Sequence, residues 1–363
     1  MPVLDGSRGF AALFVVLVHS LMTYRFVPLA HVAVDYFFVL SGLVLAHAYG
    51  ERLRSGSMTF GRFFAIRFVR LYPMIALGMV MGAVCFLVTQ WMWPEGVHPE
   101  RFLMALGAGL LLVPLPAGFL LSSIDYIYPL CLQAWSLLFE VISNLVYAPL
   151  VPYLTMPRLL AFQALCGAAY ACSLWIHRHS TLGVTLDYFP DGLLRVAYSF
   201  TAGLVIHRLM RPGLRVGMKA LPVLMMLFAA ICTAPVTWGS NRSLCLYLSS
   251  VLVVMPALVF LAAHMHPGPR ITAACSFLGR LSYPLYMAHF PVIYLFNQTM
   301  RNVPLYGKHL IAFVCLQFLC ALAAGVLAMR LFDEPLRAWL GSRLLLGRTS
   351  GSVPVPPIGS EAH

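Results

Sequence analysis

Apolar residues in this chain come in long blocks, not in the narrow stripes that a soluble helix or strand would show. The blocks fall near 8–28, 32–50, 71–92, 135–153, 159–176, 193–210, 219–236, 243–264, 281–299 and 309–330, separated by short polar connectors. Each is about as long as a helix needs to cross the hydrocarbon layer of a bilayer. The pattern predicts an all-α, polytopic integral membrane helical bundle of about ten transmembrane helices. An eleventh apolar stretch, 102–121, is interrupted by Pro114 and Pro116 and reads as a short re-entrant or outer segment.

Composition agrees with that class. The chain is 61% hydrophobic and 10% charged with a mean hydropathy of +0.85, against roughly 25% charged for a soluble domain. The 24 Lys and Arg outnumber the 12 Asp and Glu, a balance that in a soluble protein would suggest nucleic acid. Here the basic residues sit mainly in short connectors, where they set orientation in the lipid bilayer, so no nucleic-acid partner is expected. If 102–121 does not cross, 17 basic residues lie on the side of both termini and 7 on the other; if it crosses, the split is 11 against 13. Positive-inside asymmetry therefore favours ten spans, both termini cytoplasmic, a plasma-membrane location and 94–134 as an excursion on the outer side. The nine Cys are scattered singly, with no CxxC pair and no metal-ligand spacing, and read as small buried apolar residues. Asp5 precedes the first apolar run and no small-x-small cleavage site follows promptly, so no removable signal peptide is expected. One membrane domain is expected over 1–348, with a disordered cytoplasmic tail over 349–363 that contains Pro354, Pro356 and Pro357.

Polar residues inside such spans are costly and are functional candidates for that reason. Arg8 and His19 are eleven residues apart in the first span, so on a helix they lie within about 20° of one face and roughly 16 Å apart. With Arg8 at the cytoplasmic surface, His19 lies in the outer half of the membrane. Glu140 in the fourth span is expected roughly 8 Å below its outer end, a depth compatible with His19. A carboxylate there would orient the imidazole and raise its basicity; the alternative is that each group bonds a backbone or hydroxyl merely to hold helices together. Arg67 and Arg70, spaced i, i+3, open the third span on the cytoplasmic side, and Arg280 with Ser282 opens the ninth; together they suit a phosphate-bearing ligand. His289 lies deeper in that ninth span, and Asp35 lies near the outer end of the second. Arg8, Asp35 and His289 are candidate substrate-binding residues.

Six segments, in order, resemble the acyltransferase 3 family of membrane O-acyltransferases. They are LDGSRGFAALFVVLVHS, DYFFVLSGLVLAHAY, RFFAIRFVRLYP, WSLLFEVISNLVY, LGRLSYPLYMAHFPV and DEPLRAWL, spread from Leu4 to about Trp339. The resemblance implies that Arg8 and His19 match the family's Arg-x10-His pair, whose His is regarded as catalytic. It also implies that Arg67 and Arg70 match an Arg-x-x-Arg element associated with an acyl-coenzyme A donor, and that Glu140 matches the Glu after the family's Trp-Ser pair. Ser7, Val141 and the Asp333-Glu334-Pro335 order depart from the family pattern, and Glu334 is not carried over as a site residue.

Together these readings predict transfer of an acyl group, acetyl in the first instance, from cytoplasmic acyl-coenzyme A to a hydroxyl of a cell-surface or lipid-linked carbohydrate. His19 acts as general base, oriented by Glu140, with Arg67, Arg70, Arg280 and Ser282 on the donor. Acyl-coenzyme A is a substrate here; no permanently bound cofactor and no metal are expected. A transporter or flippase of a glycan precursor is the alternative from another class, because such paths are also lined by intramembrane His, Glu and Arg. Within enzymes, a macrolide-type small molecule is the alternative acceptor.

Overall fold

The computed structural model describes residues 1–22, 29–96, 98–119, 121, 126–178, 183–211, 213–237, 239–303 and 309–344. The tail expected over 349–363 lies outside the described residues. Helices dominate the described residues: α1 (Pro2–Met22), α2 (Val32–Arg54), α3 (Phe60–Met92), α4 (Pro99–Leu110), α5 (Ala134–Leu150), α6 (Met156–His177), α7 (Phe189–Leu209), α8 (Leu221–Cys232), α9 (Asn241–Ser249), α10 (Met255–Ala263), α11 (Pro269–Asn302), α12 (Leu310–Leu327) and α13 (Glu334–Leu344). Short π-helical turns join α9 to α10 and α12 to α13, making two longer continuous rods.

Each of the ten predicted spans overlaps a helix among the described residues. Among the described residues, seven helical runs are long and apolar enough to cross a membrane, with α9–α10 and α12–α13 each counting as one run. The other three predicted spans differ for physical reasons. With 12 residues, α8 rises only about 18 Å. Helices α7 and α11 are long enough, at 21 and 34 residues, but they carry the buried polar residues Asp191, Arg195, Ser282 and His289. The stretch 102–121 is not a continuous rod either. Helix α4 stops at Leu110 and the chain turns at Leu111 and Leu112, the latter with φ 54°. Helix α4 packs on α3 through Phe102 stacked on Phe86 at 5.7 Å and through Gly109 against Met79.

Helices α1, α3 and α11 start at one end of the bundle, the basic end that carries Arg52, Arg54, Arg62 and Arg280; α2, α5 and α7 finish there. Close approach of helices is made possible by glycine, because two membrane helices gain little from burying apolar surface that lipid already satisfies and must gain from contact instead. Gly42 on α2 lies against the Phe200 carbonyl of α7, and Gly203 on α7 lies against the Val39 carbonyl, so neither position has room for a Cβ. The same helix pair is clamped by Arg195, whose Nη2 and Nε lie 2.7 and 2.9 Å from the two carboxylate oxygens of Asp35, with Ser199 donating a further bond at 3.2 Å. Both charged side chains are fully buried. Apolar side chains on the outside, Ile311 and Leu165 among them, are exposed, as lipid-facing positions require.

Candidate active site

Two antiparallel helices carry matched polar faces. On α5, the N-cap residue Gln133 together with Ser136 and Glu140 is spaced i, i+3, i+7; on α11, Ser282, Tyr286 and His289 are spaced i, i+4, i+7. Each spacing places its three side chains on one face. Because the helices run in opposite directions, the faces meet as rungs. Gln133 Nε2 lies 2.7 Å from His289 Nε2, and the Ser136 hydroxyl lies 2.9 Å from that of Tyr286. Nearer the basic end, Glu140 turns towards α3 and α2, accepting from Arg67 Nη2 at 2.7 Å and from the Ser41 hydroxyl at 3.1 Å.

Helix α1 closes the site along its whole length. Arg8 donates from Nε to Ser282 at 3.1 Å and from Nη2 to the Gly279 carbonyl and Asp5, each at 3.2 Å. Farther along, His19 Nδ1 lies 3.2 Å from His289 Nε2. Proline interrupts the hydrogen-bond ladder of α11 beside the site: Pro291 has no N–H for the Met287 carbonyl, and Cys131 Sγ approaches that oxygen at 3.9 Å.

Between these helices lies a cavity of about 760 Å³, its mouth included. Arg8, Arg67 and Arg70 line it together with Glu140 and Ser41, while Phe37, Phe38 and Leu137 make apolar walls. Three guanidinium groups therefore share it with one carboxylate, itself bonded to Arg67. An environment with that balance accepts anions, and guanidinium forks match phosphate oxygens. Tyr286 lines the cavity too, and its ring centroid is 5.9 Å from that of His289. The cavity thus runs from arginines to within one side chain of the histidine pair.

The expected pairing of His19 with Glu140 is not what the fold makes. Glu140 belongs to Arg67 and Ser41, and the partner of His19 is His289. The reason is that the chain is already inside the bundle before α5 begins: Leu130, Cys131 and Gln133 are buried. Glu140 therefore lies seven residues, about 10 Å, beyond the level of Gln133 and the histidines. Asp35, expected at the acceptor, is instead fully buried against Arg195, with both oxygens occupied and no place in the cavity wall. Arg280, expected at the donor with Arg67 and Arg70, points away and pairs with Glu334 at 3.2 Å on an exposed surface. Ser282 lines the cavity, where it holds Arg8 and lies buried. Gln133, Ser136 and Tyr286 were not singled out from the sequence, yet their helical spacing to Glu140 and His289 was there to be read.

The model of the acyltransferase 3 family, described as an acyltransferase domain, matches residues 1–330. The chain belongs to the acyltransferase 3 family. As a member it is a membrane acyltransferase, an enzyme that transfers acyl groups other than aminoacyl groups. It is also similar to "Protein 2 in picA locus" of Rhizobium radiobacter, 41% identical over 154 residues that make up 40% of this chain and 79% of that protein. No solved structure matches it. The family match spans α1 to the middle of the rod formed by α12 and α13, so every residue of this acyltransferase's cavity and histidine pair lies inside it.

Proposed function

We propose that this acyltransferase takes an acyl group, typically acetyl, from acyl-coenzyme A at the basic end and passes it to a hydroxyl of a carbohydrate that enters from the opposite end. The observation that carries this reading is one cavity lined both by Arg8, Arg67 and Arg70 and by Tyr286, whose ring lies beside that of His289, the partner of His19. Phosphates of the donor suit the arginines, and only a long thin arm such as pantetheine would suit the apolar passage between helices. The basic end faces the cytoplasm of a plasma-membrane protein with both termini inside, in keeping with its excess of Arg and Lys. The carbohydrate acceptor, whether a surface glycan or a lipid-linked intermediate, follows from the family resemblance.

In the proposed reaction His19 takes the proton from the acceptor hydroxyl as its oxygen attacks the thioester carbonyl. The tetrahedral intermediate collapses with cleavage of the carbon–sulfur bond. The proton on His19 then passes to the departing thiolate, releasing coenzyme A thiol and the O-acyl product and returning His19 to its neutral form. Glu140 is the counter-ion of Arg67 in this scheme and touches neither reacting atom.

The test uses the full chain reconstituted in proteoliposomes with labelled acetyl-coenzyme A and envelope glycan. Transfer of label to glycan, with a stoichiometric release of thiol, is the expected result, and His19→Ala should lower kcat by about 10²- to 10⁴-fold with the protein still folded. Wild-type transfer by folded His19→Ala, or glycan transport across the vesicle membrane without acylation, would overturn the proposal.

A further inference from the structure

A neutral imidazole has one N–H and one bare nitrogen, and which is which follows from its neighbours. His289 is fully buried. Its Nδ1 lies 3.2 Å from the Leu285 carbonyl, one helical turn back. A carbonyl oxygen only accepts, so Nδ1 of His289 carries the proton and Nε2 is bare. Gln133 Nε2, an amide nitrogen that only donates, sits 2.7 Å from that bare Nε2, which is the same assignment reached from a second side. The His19 nitrogen that lies 3.2 Å from Nε2 of His289 is Nδ1. Facing a bare nitrogen, and with the Val15 carbonyl one turn back as a backbone acceptor for the same ring, it is the donor.

The rings meet edge to edge. Their planes are 24° apart and their centroids 5.2 Å apart, farther than the bonded nitrogens, as when the bond lies close to both ring planes. The single lone pair of His289 Nε2 is thus shared unequally between two donors, Gln133 at 2.7 Å and His19 at 3.2 Å.

From this network we infer that His289 and Gln133 are positioning residues that hold His19 as the Nδ1–H tautomer, leaving its Nε2 bare to accept a proton. The inference rests on the reading of His19 as the general base, and supplies the orienting group that Glu140 does not provide. The order runs from the Leu285 carbonyl to Nδ1–H of His289, then from its bare Nε2 to Nδ1–H of His19. When Nε2 of His19 takes the acceptor's proton, the new imidazolium keeps its Nδ1–H bond to His289, so no proton needs to move within the pair. Neither His289 nor Gln133 exchanges a proton with substrate. Their role resembles that of the third member of a hydrolase triad, with a neutral acceptor where a carboxylate would stand.

The test is nitrogen-15 NMR of histidine-labelled full chain in lipid nanodiscs, with His19 and His289 assigned by single substitution. The expected spectrum at neutral pH shows both residues protonated on Nδ1 and bare on Nε2. A His19 protonated on Nε2 would overturn the inference. His289→Leu should leave the Val15 carbonyl as the remaining acceptor for His19, weaken its Nδ1–H preference and lower kcat roughly 100-fold with KM for acyl-coenzyme A unchanged. His289→Gln, whose side-chain oxygen can accept from Nδ1 of His19, should recover at least tenfold of that loss. Equal kcat in folded His289→Leu and His289→Gln would also overturn it, and His289→Gln keeps the measurement informative if His289→Leu does not fold. Failure of the base reading looks different: His19→Ala would then retain transfer while the wild-type spectrum still showed the Nδ1–H tautomer.

Discussion

Arg67 and Glu140 face one another at 2.7 Å across α3 and α5, with the arginine side chain 5% exposed and the carboxylate 20%. The Nε of Arg67 is buried without a partner among the described residues, so this guanidinium, which lines the cavity, is tethered by one carboxylate with donor capacity left over. Such a group is held in place and still able to take a ligand oxygen.

Glu140→Ala removes the tether and leaves a cation beside apolar walls. Loss of one partner of a buried pair typically costs about 3–5 kcal/mol, lowered here by the partial exposure of the carboxylate. A lower melting temperature in detergent is expected, together with a raised KM for acyl-coenzyme A and a kcat far less affected than in His19→Ala. A kcat loss as large as that of His19→Ala, with KM unchanged, would return Glu140 to the reacting centre.

Arg70 lines the cavity, whereas Arg280 is engaged with Glu334 outside it. Arg70→Gln should therefore raise the donor KM about tenfold, the scale of one lost charge-assisted contact. Arg280→Gln should leave it near the wild-type value. Initial transfer rates at varied acyl-coenzyme A give both numbers, and equal effects would show that the donor extends to α13.

The buried pair of Asp35 and Arg195 joins α2 to α7 and has no contact with the cavity. Asp35→Ala is expected to destabilise the fold by about 3–5 kcal/mol, and replacing both residues with Met should recover much of that loss. Unfolding followed in a double-mutant cycle measures it. A folded Asp35→Ala that lost only acceptor affinity would place the acceptor at this pair after all.

At the crossing of α2 and α7 a single methyl group has no room. Gly42→Val should destabilise by at least the ~1–3 kcal/mol typical of overpacking, because its obstacle is the backbone carbonyl of Phe200. Gly61→Val, where nothing lies within 4 Å, is the matched control. Thermal melts that do not distinguish them would mean that the helices can separate at little cost.

The apolar blocks by themselves show that this is a helical membrane protein, and each block overlaps a helix of the described residues, because lipid leaves a spanning backbone few ways to satisfy its own hydrogen bonds. Ordered motifs likewise singled out Arg8, His19, Arg67, Arg70, Glu140, Ser282 and His289, all of which the fold gathers along one path. Which of them touch was set by packing. Pairing depends on how deep each helix starts and how it is rotated, and hydropathy blurs both. The buried segment before α5 moved Glu140 away from His19 and into contact with Arg67, and the antiparallel meeting of α5 with α11 set Gln133 and His289 behind the histidine of α1. A shift of two helical turns, about 10 Å, separated a carboxylate–histidine pair from the histidine–histidine pair that the chain builds.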